Sequence, residues 1–407
     1  MKFDIFFSLC QSEVDDFIPT EKQMLYSFFD QVKLADTLGF ETAWIAESHF
    51  SVQVQKANPN AVVPNFKGEI GLNSDIFQLA HRIFSCTKNI NVGSAIMNLL
   101  SSGGPIAKAE AAKFFMALHA LDPQEKRKLF LGFASGRFPY QSAPFGIHPR
   151  NEFEKAIWPS LKGKIFLQGM EIFLRLLKGE IIGFENIKPI VLTSNDFRTQ
   201  DEWQTALNLD INVDKSENEI DIPAFWQFDK LGIVPQDIDF KLLQLVIGSH
   251  DPQAQKLANE ILPCSVFNLS ITSNKVIEKT HENMNNWYHS DGGQWQRDMM
   301  PRTSMIFINN DEDASENEKC LRAKQQAEKA LSSFWLAMEG TIDKNKIESA
   351  VSNALCGSPT EIIQQMRARF HPDDKVMLWF DFNNHDNDNV KNSMRLVEKH
   401  VLPVLRS

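Results

Sequence analysis

The chain has 407 residues, 43% of them hydrophobic and 23% charged, which is the composition of a globular protein with ample material for a core. Its net charge of -10 argues against a nucleic-acid binder, and no apolar run approaches the roughly 20 residues that a membrane-spanning helix needs. The five cysteines are scattered and form no Cys-x-x-Cys pair. The sequence therefore predicts a cytoplasmic protein without disulfides or a metal site.

Apolar strands alternate with amphipathic helices along most of the chain. Eight strands are predicted, at Phe3–Leu9, Ala43–Ala46, Ile90–Met97, Leu129–Ala134, Leu242–Gly248, Val266–Ile271, Thr303–Ile308 and Val376–Phe382. Helix boundaries are indicated by Gly39, Ser74, Pro105, Gly179 and the capping box that begins at Ser358. Eight such units are typical of an α/β protein with a (β/α)8 TIM barrel, and a doubly wound open sheet is the alternative.

Two segments interrupt this alternation. The loop 51–73 is rich in Pro and Asn and is too long for a plain connection. Around residues 180–240 the periodicity gives way to polar and acidic sequence. We interpret both as insertions in a single domain that spans residues 1–407. Substrate specificity is expected to lie in them, because loops over the mouth of a barrel determine it.

Polar and small residues follow four of the predicted strands, and a barrel would bring these strand ends to one mouth. They are Glu47, Ser48 and His49, then Ala95, Ile96, Met97 and Asn98, then Ala134, Ser135, Gly136 and Arg137, and finally Gly248, Ser249 and His250. The set offers apolar and small residues for a flat ring, donors and a cation for a phosphate, and an imidazole. It therefore suits a flavin mononucleotide pocket, while motifs of zinc proteases, P-loop NTPases, Rossmann dehydrogenases and serine hydrolases are missing.

Each candidate also has a structural interpretation. His49 is expected to act as a hydrogen-bond donor or general acid–base group near the ring, and the structural alternative is a histidine whose hydrogen bonds are made by the neighbouring loop. Glu47 is expected to satisfy backbone groups or to orient His49. The hydroxyl of Ser48 suits a bond to the ring or to its own backbone equally well. The candidate phosphate ligands are residue types that also serve as turn residues and helix caps; they are Ser135, Gly136, Arg137 and Ser249.

The order of these motifs resembles the bacterial luciferase-like flavin monooxygenase family. The resemblance rests on residues 39–50, on Asn91-Val92-Gly93-Ser94-Ala95, on Pro105 with Ala109-Glu110-Ala111, on Gly132 to Gly136 with Phe145-Gly146, and on Gly357-Ser358-Pro359-Thr360-Glu361. It implies a (β/α)8 barrel that holds reduced FMN, supplied by a separate flavin reductase, and uses O2 to oxygenate a small organic substrate. It also implies that the ring lies against Ala95, Ile96 and Met97, beside a non-proline cis peptide, and that the protein is a homodimer. The helix from Pro105, which carries Glu110, is one expected interface.

The chain departs from the family pattern at three positions. Ser48 replaces the first of two histidines that follow the glutamate in luciferase, which argues against light emission. Ala134 replaces a reactive cysteine and Ser135 replaces the next arginine, so Arg137 or Arg150 would have to bind the phosphate. A non-catalytic flavin- or ligand-binding barrel and a deazaflavin-dependent oxidoreductase therefore remain alternatives.

Overall fold

The computed structural model describes residues 1–59, 61–209 and 219–406. Its strands are β1 (Lys2–Phe7), β2 (Thr42–Ile45), β3 (Asn91–Ser94), β4 (Met97–Asn98), β5 (Leu129–Ala134), β6 (Ile190–Thr193), β7 (Glu219–Ile222), β8 (Leu243–Ile247), β9 (Cys264–Val266), β10 (Arg302–Ile308), β11 (Leu355–Gly357) and β12 (Lys375–Trp379). Its helices are α1 (Glu21–Thr37), α2 (Val52–Gln55), α3 (Ile76–Cys86), α4 (Gly104–His119), α5 (Glu152–Ala156), α6 (Trp158–Lys178), α7 (Gln200–Leu209), α8 (Pro252–Ile261), α9 (Asn274–Trp287), α10 (Glu316–Glu339), α11 (Lys344–Asn353), α12 (Pro359–Arg369), α13 (Asn387–His400) and α14 (Leu402–Leu405). Residue 60 of the predicted loop 51–73, residues 210–218 of the predicted insertion and residue 407 lie outside the described residues.

Parallel strands form the central barrel. Their order is β10-β12-β1-β2-β3-β5-β8-β9, and a parallel bridge between Asn268 and Arg302 joins the two edge strands. There the backbone N–H of Asn268 donates to the carbonyl of Pro301 and that of Thr303 donates to the carbonyl of Asn268, each at 3.0 Å. These bonds close the sheet. The predicted (β/α)8 barrel is thus confirmed, and the open sheet is excluded.

Side chains of each strand alternate between the barrel interior and the layer under the helices. In β1, Phe3 and Ile5 belong to the main core cluster, together with Phe28 of α1. Phe6 instead joins Trp44 and other residues in a smaller cluster inside the barrel. Because successive residues of a strand point to opposite faces, a strand covered on both sides is apolar at nearly every position.

The sixth strand differs most from its prediction. The prediction of a strand at Val266–Ile271 is wrong, because β9 covers Cys264–Val266. Leu269 and Ile271 are 52% and 78% exposed in a turn. The chain leaves the sheet after Asn268, the residue whose bridge closes the barrel. Leu269 and Ile271 therefore lie outside the sheet, although they are apolar.

Smaller differences concern the third strand and its preceding helix. The strand predicted at Ile90–Met97 is divided into β3 and β4, with Ala95 and Ile96 between them. The helix predicted to begin at Ser74 is capped one residue later, because Oδ1 of Asp75 accepts the first free N–H groups of α3.

Several short regular elements were not predicted. Strand β11 pairs with the last residues of β10, beside the part of β10 that pairs with β12 in the barrel. Within the insertion 180–240, β6 and β7 form a separate antiparallel pair and α7 lies between them. Strands of three or four residues are too short for a periodic pattern to identify them reliably.

The described part of the loop 51–73 is packed against the scaffold. Phe66 is fully buried, and Val63 lies with it in a cluster that includes Met338 of α10. The carboxylate of Glu69 accepts hydrogen bonds from the Ser51 hydroxyl and from the backbone N–H of Val52, at 2.5 and 2.6 Å. These contacts hold the two ends of the loop together.

None of the described helices is long and apolar enough to cross a membrane. All five cysteines belong to the described residues and are free thiols. Burial raises the pKa of Cys10 and of Cys356 to about 12. Since the thiolate is the reactive form, burial disfavours a nucleophilic role for both thiols.

Candidate active site

A buried chain of hydrogen bonds follows β2. Oε1 of Glu47 lies 2.8 Å from Nε2 of His49, and Oγ of Ser102 lies 3.2 Å from Nδ1 of the same ring. The side chains of His49 and Glu47 are 6% and 1% exposed. Because an ionised carboxylate only accepts hydrogen bonds, we assign a proton to Nε2. In the neutral ring, Nδ1 then accepts from the Ser102 hydroxyl.

Lys108 of α4 places a positive charge beside this chain. Its Nζ lies 3.9 Å from Oε1 of Glu47, and its side chain is 9% exposed. The other carboxylate oxygen, Oε2, is buried and has no hydrogen-bond partner among the described residues. A carboxylate buried to this degree needs compensating groups nearby. Lys108 and His49 supply them, and the arrangement is that of a carboxylate that orients an imidazole.

Ser48 faces a different set of partners. Its hydroxyl accepts a hydrogen bond of 3.0 Å from Nε2 of the buried Gln141. Its backbone N–H donates to the carbonyl of Asn73, whose side chain in turn donates to the carbonyl of Ala46. Ser48 therefore connects the end of β2 to two loops, and its catalytic role stays a prediction.

Strand register brings the other predicted residues together. Met97 pairs with Phe133 and Asn98 pairs with Ala134, so β4 lies along the end of β5. Phe133 also pairs with Ile247, the last residue of β8. The segments that follow β3, β5 and β8 consequently form one row at the carboxyl end of the barrel, and β2, which carries the His49 chain, pairs with β3 at its other side.

Small residues make this row compact. The peptide bond between Ala95 and Ile96 is cis, at the position that the family resemblance implies. A Cβ atom on Gly248 would lie 2.4 Å from Cδ1 of Ile96 and 3.2 Å from Cβ of Ala134. These three strand ends are thus in direct contact, and Ala95, Ile96 and Ala134 leave part of their apolar surface exposed.

The turn after β5 lies over the side chain of Asn98. Gly136 has a φ of +73°, and a Cβ atom there would lie 2.3 Å from Cγ of Asn98. Nδ2 of Asn98 is buried without a hydrogen-bond partner among the described residues. Nζ of Lys162 donates to the carbonyl of Gly136 at 2.7 Å, and burial lowers the pKa of Lys162. An unpaired amide donor and a cation therefore meet at this turn.

Ser249 and His250 lie between β8 and α8. Oγ of Ser249 accepts the backbone N–H of Asp251 at 3.2 Å. Nε2 of His250 lies 2.9 Å from Oδ1 of Asn268, the residue that closes the barrel. Both side chains thus have partners in the scaffold, which for Ser249 agrees with its structural interpretation as a turn or cap residue.

The two arginines considered for a phosphate differ in their surroundings. Arg150 forms an ion pair with Glu154 and donates to two carbonyls at positions 223 and 224, and its guanidinium lies 3.9 Å from the ring centroid of Phe225. These contacts engage the Arg150 guanidinium within the scaffold, and a phosphate role for it stays a prediction. Arg137 is exposed. Three polar residues at the site were missed by the sequence reasoning, namely Ser102, Lys108 and Lys162, because their partners lie far away in the chain.

Known proteins provide an independent comparison for this arrangement. Residues 1–151 match the luciferase-like monooxygenase family. This luciferase-like segment contains β1 to β5, and with them the His49 chain and the turn at Gly136. The resemblance predicted from the sequence is thereby confirmed for this part of the chain. No curated protein sequence matches the chain.

Several solved structures share the barrel fold along the whole chain. A monooxygenase from Streptomyces bottropensis is 17% identical, with a TM-score of 0.63 over 99% of each chain. The oxygenating constituent of 3,6-diketocamphane monooxygenase from the CAM plasmid of Pseudomonas putida, solved with FMN, is 14% identical, with a TM-score of 0.58 over 99% of this chain and 98% of that one. An F420-dependent secondary alcohol dehydrogenase, solved with an F420-acetone adduct, is 11% identical, with a TM-score of 0.53 over 100% of both chains. At these identities the likeness establishes the fold, and the cofactor and the reaction need arguments of their own.

Proposed function

We propose that this protein is a flavin-dependent monooxygenase that binds reduced FMN at the barrel mouth and uses O2 to oxygenate a small organic substrate. One observation carries the proposal. The row of small residues formed by the ends of β3, β5 and β8 has the buried His49 chain beside its β3 side and the Lys162 ammonium at the turn that follows β5. Such a row suits a flat ring with a proton-exchanging group beside it and a phosphate at the turn after β5.

The residues present fit both parts of this cofactor. Ala95, Ile96 and Ala134 offer partly exposed apolar surface to a ring. The unpaired Nδ2 of Asn98 and the Lys162 ammonium suit an anion, because a buried donor without a partner is costly and a phosphate oxygen would satisfy it. Reduced flavin supplies the electrons that activate O2 when it is bound. The chain itself would orient the ring, exclude water and hold the proton at His49.

We further propose that a separate reductase supplies the reduced FMN and that two copies of this chain form a dimer through α4. Three apolar side chains in and just after this helix are exposed by 58%, 41% and 75%, namely Phe114, Leu118 and Leu121. Exposed apolar side chains at this spacing form a stripe along one helix face. In a two-fold dimer, the same stripe of a second copy of this chain would pack against it. The cytoplasmic location stays a prediction.

A deazaflavin-dependent oxidoreductase is the second candidate. It is supported by the full-length likeness to the F420-dependent secondary alcohol dehydrogenase. A barrel that binds flavin without turnover is the third, because Ser48 stands where luciferase has its first histidine.

An anaerobic titration separates these candidates. Reduced FMN, reduced F420 and riboflavin are titrated into the protein, and each complex is then mixed with O2 while O2 uptake and H2O2 release are recorded. We expect FMN to bind at least about tenfold more tightly than F420, and the bound flavin to react with O2 at a rate different from that of free flavin. Tighter binding of F420 would favour the second candidate. Binding with the oxidation rate of free flavin would favour the third, and binding of neither cofactor would contradict the proposal.

A further inference from the structure

We propose that Ser102, rather than His49, exchanges a proton with the molecule bound at the mouth, and that Lys108 keeps the hydrogen-bond chain of Glu47, His49 and Ser102 in the state that allows this exchange. The inference rests on the proposed function, because it assigns a proton path to the same site.

Both ring nitrogens of His49 are already engaged inside the protein. Nε2 lies 2.8 Å from Glu47, and Nδ1 lies 3.2 Å from the Ser102 hydroxyl. His49 is buried, whereas Ser102 is only half-buried. A proton therefore passes between the imidazole and a bound molecule through the hydroxyl, which is the more accessible end of the chain.

The turn that carries Ser102 is attached directly to the proposed flavin site. It begins at Asn98, whose carbonyl accepts the backbone N–H and the hydroxyl of Ser101. Gly104, the first residue of α4, donates its N–H back to the carbonyl of Ser101. These bonds fix the residue between them, and Ser102 adopts a φ of +52°. Since Asn98 also contacts the turn at Gly136, Ser102 and the proposed phosphate site share one anchor.

Lys108 decides the direction of the hydrogen bond between His49 and Ser102. If the Glu47 carboxylate had His49 as its only charged partner, the ring would gain a proton to compensate it. Nδ1 would then become a donor and lose the ability to take a proton from the hydroxyl. The Lys108 ammonium, 3.9 Å from Glu47, compensates the carboxylate instead and repels a second positive charge. The arrangement therefore favours a ring in which Nδ1 accepts the hydrogen bond from Ser102.

The exchange balances within these groups. The bound molecule gives a proton to the oxygen of Ser102 while the hydroxyl proton of Ser102 moves to Nδ1 of His49. The resulting imidazolium is stabilised by Glu47, and the reverse transfer returns the proton to the product. In the protein, only O–H and N–H bonds form and break. In the bound molecule, only its bond to the transferred hydrogen breaks, and no further reactant is needed.

The test uses nitrogen NMR of histidine-labelled protein without any flavin. The wild-type spectrum should show His49 near neutral pH as the neutral ring protonated at Nε2. Lys108→Met should raise the proton affinity of His49 about tenfold or more, because it removes a positive charge from beside the carboxylate partner of the ring. Lys113→Met is the matched control. Lys113 is also a buried lysine of α4, but its Nζ donates to the carbonyl of Gln236, so this variant should leave His49 unchanged.

Two results would overturn the inference. One is a wild-type spectrum that shows His49 protonated at Nδ1. This measurement does not depend on whether any variant folds. The other is a His49 pKa that is the same in wild type and in folded Lys108→Met.

A second arm measures the oxidation of bound reduced FMN by O2 as a function of pH. Ser102→Ala should leave the Kd for FMN unchanged and shift the pH profile, Ser102→Thr should restore the profile, and Ser85→Ala, at an exposed serine of α3, should behave like wild type. An unchanged profile in Ser102→Ala would contradict the role of the hydroxyl. Failure of FMN to bind would contradict the proposed function alone, and the NMR measurement would still decide whether Lys108 and Ser102 act on His49 as inferred.

Discussion

The ammonium of Lys162 donates a hydrogen bond of 2.7 Å to the backbone carbonyl of Gly136. This bond connects α6 to the turn that follows β5, and the same turn contacts the side chain of Asn98. Burial lowers the pKa of Lys162, because a charged ammonium loses hydration there. A bound anion would restore favourable interactions to this cation, which makes Lys162 a better candidate phosphate ligand than the exposed Arg137.

We therefore predict that Lys162→Met raises the Kd for FMN about tenfold or more, as the loss of a charge-assisted hydrogen bond implies. The Kd for riboflavin, which has no phosphate, should stay the same. Fluorescence titration of both ligands into both proteins measures the difference. Arg137→Met serves as the control and should change neither Kd by more than a factor of about two. An equal loss of affinity for both ligands would show that Lys162 supports the fold and does not contact the phosphate.

The turn at Gly136 yields a prediction about stability. Gly136→Ala should destabilise the protein by about 2 to 4 kcal/mol, because the new methyl group meets Asn98 and the positive φ is unfavourable for alanine. Gly146→Ala separates the two effects, since Gly146 has a φ of +82° but no described atom within 4 Å of an added Cβ. Its cost should be only about 1 kcal/mol. Urea denaturation of both variants measures these values, and equal costs would contradict the contact with Asn98.

The buried carboxyl group of Asp4 should make the free energy of unfolding depend on pH. Burial raises the pKa of Asp4 from 3.8 to about 6, and the carboxyl accepts a hydrogen bond of 2.7 Å from the indole of Trp44. The folded protein thus holds this proton more tightly than the unfolded chain. The resulting stabilisation is complete below about pH 4 and is lost as the pH rises through about 6.

Asp4→Asn, which stays neutral, should therefore be more stable than wild type by about 3 kcal/mol above pH 7. This advantage should disappear below about pH 4. Urea denaturation across this range tests the prediction, with Asp229→Asn at an exposed site as a control that should show no such trend. A constant difference between Asp4→Asn and wild type at every pH would contradict it.

The apolar stripe of α4 gives a prediction about assembly. Phe114→Glu combined with Leu118→Glu should convert a dimer to a monomer, because each copy would bring buried like charges to the interface. Light scattering coupled to gel filtration measures the molecular mass. Leu321→Glu changes an equally exposed leucine on α10 and should leave the mass of the dimer unchanged. A dimer that survives the double substitution would place the interface on another surface.

Local signals in the sequence were sufficient for much of the scaffold. The strand predicted at Leu129–Ala134 agrees with β5 at both ends. Gly39, with a φ of +75°, follows the end of α1 as predicted. Periodicity and capping depend on residues within a few positions of one another, so a single sequence reveals them. The position of His49 just after a buried strand was also evident for this reason.

Contacts between distant segments were decided by the tertiary structure alone. His49 and Ser102 are 53 positions apart, and Gly136 and Lys162 are 26 apart. Their meeting depends on the register of β4 against β5 and on how α4 and α6 pack around the barrel, which no local pattern specifies. The same holds for the bridge at Asn268 that closes the sheet. The sequence thus determined which residues follow the barrel strands. The packing of helices against strands decided that Lys108, Lys162 and Ser102 lie next to them.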